Sequence, residues 1–444
     1  MKGRTAGEGH AATSDDAAPA SVAVSEAESG PVRLDAGVWR TRLPGGPTVL
    51  SERIESVHSI ALGIWFHQGP VHEIRSECGI SHLLEHMVFK GTERRSARDL
   101  ALEIERIGGA LDAYTTHEAT AFQARVPAGE LRRALDVLAD LAFHPTLRER
   151  DLEAERNVIL EELALLEETP EELVFELHAD WLYGEHPYGA RIMGSAETVS
   201  DLSAERLRRL HSSSYRGSNA VVAAAGHVDH EELVALVREM VPRDDGAAQA
   251  QPPHVVQGAT GRRRVEREGG HQTHLVAGGV TVAYSDPLRY AVVLVDAALG
   301  AGMSSRLFQR IREEIGLAYS VYSFHSFYAS GGHGGAYVGT GPETASAALE
   351  AMLEELRLLA EQGLADEEVQ TMREEIKGRL MLSLEAPVAR MNRLAGLALY
   401  GEPYRTLDEI AQRIDLVTKQ EVSEAAALYH PDRLAIMELA PAQA

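Results

Sequence analysis

The sequence contains a single cysteine, Cys78, in 444 residues. An intrachain disulfide and any zinc cluster built on thiolates are thereby excluded, and Cys78 reads as a small packed residue. No apolar run approaches the roughly 20 residues that a helix needs to span a bilayer. Positive charge is scarce too: 43 Lys and Arg stand against 67 Asp and Glu, a formal net charge of −24. This argues against nucleic acid and anionic membrane surfaces as partners. It is compatible with basic or neutral peptides, although solubility alone accounts for it. Residues 1–31 are rich in Ala, Ser, Glu and Gly with almost no large apolar side chains, and are expected to be disordered. They hold no apolar core of a secretory signal, and their acidic residues disfavour a mitochondrial transit peptide. The cytoplasm is the expected location.

What is present is a soluble globular composition, 44% hydrophobic and 25% charged, in a chain too long for one ordinary core. Strand-like runs occupy residues 38–43 and 48–52, and Ser59-Ile60-Ala61-Leu62-Gly63-Ile64-Trp65-Phe66 reads as a buried strand. Ser96 has the character of an N-cap for a helix that stops at Gly108-Gly109. Residues 110–116 and 117–126 read as a short strand and its neighbour, closed by Pro127. Helical patterns follow at 130–143 and 149–167, the second strongly acidic. Residues 243–262, with Asp244-Asp245-Gly246 and Pro252-Pro253, have linker composition. The expected division is a disordered extension 1–31, a unit 32–242, a linker 243–262 and a unit 263–444.

One stretch carries chemistry. In His82-Leu83-Leu84-Glu85-His86 the two histidines are i and i+4, so on a helix both imidazoles leave one face and can reach one metal ion. Glu85 lies close enough to that face to take a proton from an attacking water. This is H-x-x-E-H, the inverse of the commoner H-E-x-x-H zinc peptidase order. An ordinary amphipathic helix with core residues Leu83, Leu84 and Met87 fits the same five letters. A third ligand is sought on the acidic helix, where Glu155 and Glu162 are two turns apart and share a face. One can bind the metal while the other supports a ligand or the water. Read alone, that helix does not name its ligand.

The second half restarts the plan of the first. Residues 151–163 resemble 368–380, Tyr215-Arg216-Gly217-Ser218-Asn219 resembles Tyr429-His430-Pro431-Asp432-Arg433, and Gly79-Ile80-Ser81 parallels Gly302-Met303-Ser304. In this ungapped match His82, Glu85 and His86 fall opposite Ser305, Phe308 and Gln309, and Glu162 opposite Arg379. The second half repeats the pattern without the metal chemistry. A duplication of roughly 200 residues follows, not a short solenoid repeat.

With these residues in place the chain resembles the pitrilysin/insulinase family of zinc metallopeptidases, in particular its half-length branch, which includes the mitochondrial processing peptidase and its bacterial relatives. That family has H-x-x-E-H and, about 76 residues later, a zinc-binding glutamate. Glu162 lies 76 residues after His86, which selects it over Glu161 and matches Glu155 to the family's second essential glutamate. A further family motif, Arg and Tyr seven apart, appears as Arg312 and Tyr319. One departure is Gly69-Pro70-Val71-His72-Glu73, where the family often has Gly-Ser-Arg. The resemblance covers about residues 35–440.

The resemblance implies an α+β fold of two duplicated α/β units of about 200 residues, each a mostly antiparallel sheet packed with helices, forming one half of a clam-shell chamber. It implies one Zn²⁺ per chain held by His82, His86 and Glu162, with Glu85 as general base and Arg312 and Tyr319 as donors to the substrate carbonyl. It places Asp112, Ala113, Tyr114 and Thr115 on an edge strand that a peptide extends, although an ordinary hairpin explains those residue types equally well. The implied activity is hydrolysis of short or unfolded peptides by a homodimer, with a heterodimer as the close alternative. A member that has lost catalysis is the other reading.

Overall fold

The computed structural model describes residues 30–244, 255 and 257–442. All but the last two residues of the expected disordered extension, and residues 245–254 and 256 of the expected linker, lie outside the described residues. Among the described residues no helix is long and apolar enough to cross a membrane.

Two sheets organise the chain. The first is built from β1 (Val32–Asp35), β2 (Val38–Arg42), β3 (Thr48–Arg53), β4 (Ser59–Phe66), β5 (Ala110–Thr115), β6 (Thr120–Pro127) and β7 (Ala220–Gly226). Its order is β1-β2-β3-β7-β4-β6-β5; only β3 and β7 run parallel. The second is built from β8 (Gly261–Arg267), β9 (Thr273–Thr281), β10 (Ala318–Tyr328), β11 (Gly331–Thr340) and β12 (Ala435–Pro441). Its order is β10-β11-β9-β12-β8, with β12 and β8 parallel. The expected α+β class with mostly antiparallel sheets is what is observed.

β4 shows why both faces of the first sheet are covered. After Ser59 its run is apolar, and the period-two alternation divides it: Ile60, Leu62, Ile64 and Phe66 enter one core while Ala61 and Trp65 enter another. The first core is closed by helices of the same half, among them Ile80–Val88, Leu131–Phe143 and Glu149–Glu167. The second is closed by Met391, Leu394 and Ala395 of the helix Pro387–Leu399, from the other half of the chain. The exchange is reciprocal. Helix Pro170–Tyr183, from the first half, lays Leu173 and Val174 on Val276, Tyr337, Met437 and Leu439 of the second sheet.

Element order also corrects one sequence match. The first half runs β4, helix Ile80–Val88, helix Ala97–Glu105, β5, β6; the second runs β9, helix Arg289–Gly300, a π-helical turn Phe308–Glu314, β10, β11. The counterpart of the histidine helix is therefore Arg289–Gly300, and Gly302-Met303-Ser304 lies beyond it. Small residues recur at helix starts for reasons of local backbone geometry, so a shared Gly-x-Ser does not fix a register. The match of residues 151–163 to 368–380 agrees with the paired helices Glu149–Glu167 and Asp366–Ser383.

The seam between the halves is rich in neutral imidazoles. His178 Nε2 approaches the carbonyls of Gly278 and Ala435 at 3.3 and 3.1 Å. His117 and His333 flank Tyr328 at ring distances of 5.4 and 5.7 Å. Burial pushes His117 and His178 down to about 4 and His333 to about 3. An unfolded histidine titrates near 6.5, so the folded chain binds fewer protons below that pH. Stability is present above pH ~6.5 and is lost progressively towards pH ~4, by up to about 1.4 kcal/mol per pH unit for each such histidine. The urea midpoint is expected to fall across that window, with a shallower slope in His178→Gln. Equal slopes in the two proteins would contradict the assignment.

Candidate metal centre

The histidine helix Ile80–Val88 is anchored at its start. Gly79 precedes it at φ +92°, a conformation suited to glycine, and an added Cβ would stand 2.5 Å from the Met193 carbonyl. The Glu73 carboxylate accepts hydrogen bonds from the backbone N–H groups of Gly79 and Ser81, both at 2.8 Å, where the helix N-terminus favours an anion. Burial raises the Glu73 carboxyl to about 7 against those donors. Gln68 Nε2 donates to Ser81 Oγ at 2.9 Å. With Leu83, Leu84 and Met87 fully buried in the core, His82, Glu85 and His86 are left on the other side of the helix.

Three donors converge there. Nε2 of His82 and Nε2 of His86 lie 3.9 and 3.8 Å from Glu162 Oε2, and one ligand atom from each residue lies within 4.8 Å of the others. Among the described residues this is the one such group of His, Cys, Asp or Glu. The rings of His82 and His86 meet edge to face at 4.7 Å. Burial, reinforced by His86, pushes His82 down to about 4, so its imidazole is neutral, as a metal ligand must be. Glu162 comes from the helix Glu149–Glu167, which Ile159 and Leu163 pin into the same core. Glu161, one residue earlier, is exposed.

The neighbours orient these donors. His86 Nδ1–H donates to Glu155 Oε2 at 3.2 Å, which directs Nε2 towards Glu162. Glu155 is buried and its other oxygen pairs with Lys90. Glu85 is outside the three-donor group; Thr115 Oγ1 donates to its Oε2 at 2.6 Å. Burial raises the Glu85 carboxyl above its ordinary value, partly offset by that hydrogen bond.

Thr115 brings the sheet edge to the centre. Among the described residues β5 is the last strand of its sheet and pairs only with β6, so its outer backbone groups have no strand partner there. Ala113 packs with the core on the histidine-helix side. Tyr114 faces the opposite side, its hydroxyl accepting from Trp65 Nε1 at 3.1 Å and Gln123 Nε2 at 3.3 Å. Asp112 shares that face by alternation.

Arg312 and Tyr319 sit apart from this group. Arg312 Nη1 donates to the Tyr319 carbonyl at 3.0 Å, and its guanidinium lies 4.6 Å over the Tyr319 ring and 4.8 Å over the Phe308 ring. Tyr319 is 79% exposed. None of the contacts of either residue reaches the histidine cluster in the same chain. In the second half Arg379, opposite Glu162 in sequence, donates to the Ala301 carbonyl at 2.9 Å, and the helix Arg289–Gly300 carries no histidine.

Sequence reasoning passed over Glu73 and Lys90. An acid six residues before Gly79 is a signal for a helix-start acceptor, but the fold alone shows which N–H groups it meets. Lys90 stands one turn after His86, where a partner for a buried glutamate is foreseeable only once Glu155 is known to face it.

A family model described as insulinase (peptidase family M16) matches residues 48–196, and one described as the peptidase M16 inactive domain matches residues 201–376. An uncharacterized zinc protease of Streptomyces coelicolor is 38% identical over 401 residues, 88% of this chain and 86% of that protein. The uncharacterized zinc protease YmxG of Bacillus subtilis is 34% identical over 408 residues, 91% of this chain and 98% of its own. Among solved structures, a peptidase M16 inactive domain from Pseudomonas fluorescens superposes with a TM-score of 0.85 at 21% identity, covering 92% of this chain and 98% of that one. A protease from Helicobacter pylori gives a TM-score of 0.84 at 20% identity, covering 91% and 99%. The duplicated fold and the two matched models together place the chain in the insulinase family, peptidase family M16, as a half-length member similar to proteins named zinc proteases.

Proposed function

We propose that the protein is a zinc-dependent endopeptidase that hydrolyses short or unfolded peptides, bound as an added strand on β5 inside a chamber closed by two copies of the chain. The observation that carries this reading is the convergence of His82, His86 and Glu162 beside Glu85, which is itself bonded to the edge strand. The donor set fits the metal: two imidazole nitrogens, at least one held neutral by burial, and one carboxylate oxygen. His82, His86 and Glu162 would hold the ion, which when bound would supply Lewis acidity towards water and a carbonyl.

The chain's own residues supply the rest. Glu85, with a carboxyl raised by burial and oriented by Thr115, is placed to take a proton from the attacking water and pass it to the leaving amine. Glu155 fixes the tautomer and direction of His86. The outer edge of β5 offers main-chain donors and acceptors to an extended peptide, which gives affinity with tolerance of sequence. Arg312 and Tyr319 of a second copy would donate to the substrate carbonyl as its charge develops. Carrying both residue sets in one chain favours a homodimer over a pairing with a related subunit.

The description "inactive domain" falls on residues 201–376, outside the histidine cluster. It is the observation that keeps a second reading, a silent partner subunit of a heterodimeric peptidase. The two separate when the purified chain is incubated with a mixed library of short peptides and new termini are read by mass spectrometry. The endopeptidase reading expects internal cuts that stop with a chelator and return with added zinc. Cuts indifferent to the chelator would refute it, and an uncut library would favour the silent subunit.

A further inference from the structure

A cavity of about 180 Å³ lies beside β5 on the face turned away from the histidine helix. Its walls come from both halves of the chain: Trp65 of β4, Tyr114 and Thr116 at the end of β5, and Gly396, Leu399 and Tyr400 at the end of the helix Pro387–Leu399. Side chains of a strand alternate between faces, and so do those of any strand added beside it. A peptide laid along β5 would therefore turn every second side chain towards the histidine helix and the others towards this cavity.

Two observations define what the cavity can take. A Cβ built on Gly396 meets nothing within 4 Å, so this glycine serves no close approach. In a helix interior glycine is otherwise unfavourable, and here its effect is to leave volume open. Polar groups also line the cavity, among them His67, His72 and Asn392, and several of the polar groups are engaged: His72 Nδ1 accepts from Gly69 N at 3.3 Å and Asn392 Oδ1 from Gln123 Nε2 at 2.8 Å. The Tyr114 hydroxyl accepts two hydrogen bonds, and the Glu118 carboxylate accepts from Tyr188 Oη at 2.7 Å and from Ala329 N at 2.9 Å. The larger part of the lining is aromatic and aliphatic surface.

We propose that this cavity is a side-chain subsite that takes one large apolar residue of the bound peptide, on the face of β5 opposite the metal centre. The inference rests on the reading of β5 as the edge that a peptide extends. It makes the second half of the chain a determinant of specificity through the helix Pro387–Leu399, and it defines the substrate class as peptides with a large apolar side chain at one fixed position from the cut.

The full-length wild type and Gly396→Leu are compared on one peptide library, with Gly396→Ala as a folding control read by Tm. The wild type is expected to prefer Phe, Leu or Met over Gly at one position by about 10-fold or more in kcat/KM. In Gly396→Leu that ratio collapses towards unity, because the new side chain fills the cavity. The Tm of Gly396→Ala should equal or exceed that of the wild type. An unchanged ratio in Gly396→Leu overturns the subsite, as does a preference for Lys or Arg at that position that Glu118→Gln removes. If the wild type cleaves no peptide, the peptidase reading itself fails and the subsite falls with it. Cleavage with an unaltered preference removes the subsite alone.

Discussion

Glu85→Gln is expected to lower peptide hydrolysis on the order of 10³-fold while leaving the metal content of the chain unchanged. Glutamine has the size of glutamate, and its amide oxygen can still accept from Thr115 Oγ1, which stands 2.6 Å from the carboxylate. Glu85 is not one of the three converging donors, so the ligand set survives the substitution. What is lost is the capacity to take up a proton, which the carboxyl has and the amide lacks. The contrast is measured as kcat/KM on a cleaved library peptide alongside zinc per chain. Full activity would remove Glu85 from its role. Loss of zinc in parallel with activity would make it a structural support of the ligands instead.

Mixing two inactive chains is expected to restore activity. In its own chain Arg312 is held by the Tyr319 carbonyl and stacked on the Tyr319 and Phe308 rings, with no contact to His82, His86 or Glu162. The pair is thus assembled and exposed but unconnected to the cluster. Arg312→Ala alone should lose on the order of 10²-fold in rate if the guanidinium stabilises developing charge. If it serves the centre of a second copy, a dimer of one Glu85→Gln chain and one Arg312→Ala chain has one site with both residues intact. Random exchange makes half the dimers mixed, and about a quarter of wild-type activity should return. Isolation of the mixed dimer through two different tags makes the measurement independent of exchange. A mixed dimer as inactive as its parents would mean that the pair does not act across the interface.

Local patterns made much of this molecule legible. The apolar run of β4 is a strand buried on both faces, and Ser96 caps its helix through reciprocal bonds with Asp99. The i, i+4 histidines do share a helix face with Glu85 beside them, because helical period alone dictates it. The third donor was of another kind. The acidic helix has many glutamates at compatible spacings, and packing separates them: Glu161 is exposed, Glu155 is drawn to Lys90 and His86, and Glu162 is left facing both Nε2 atoms. Resemblance to a family selected Glu162 where the residues themselves left it open.

Long-range choices were illegible for a plainer reason. The apolar faces of Pro170–Tyr183 and Pro387–Leu399 announce burial, but periodicity does not say against which sheet. Each covers the sheet of the other half, a pairing between residues more than 100 positions apart. The same limit applies to Gly79-Ile80-Ser81 and Gly302-Met303-Ser304, alike as text and placed at different points of the duplicated plan. Glu73 belongs here too, since its partners are backbone N–H groups that no side-chain pattern displays.

Metal analysis of three purified chains tests most directly whether His82, His86 and Glu162 hold a catalytic zinc: the wild type, Glu161→Gln and Glu162→Gln, each assayed for peptide hydrolysis in the same preparation. About one zinc per chain is expected in the wild type and in Glu161→Gln, with at least roughly 10-fold weaker retention in Glu162→Gln and a matching loss of hydrolysis. Full zinc occupancy and undiminished hydrolysis in Glu162→Gln would contradict the assignment.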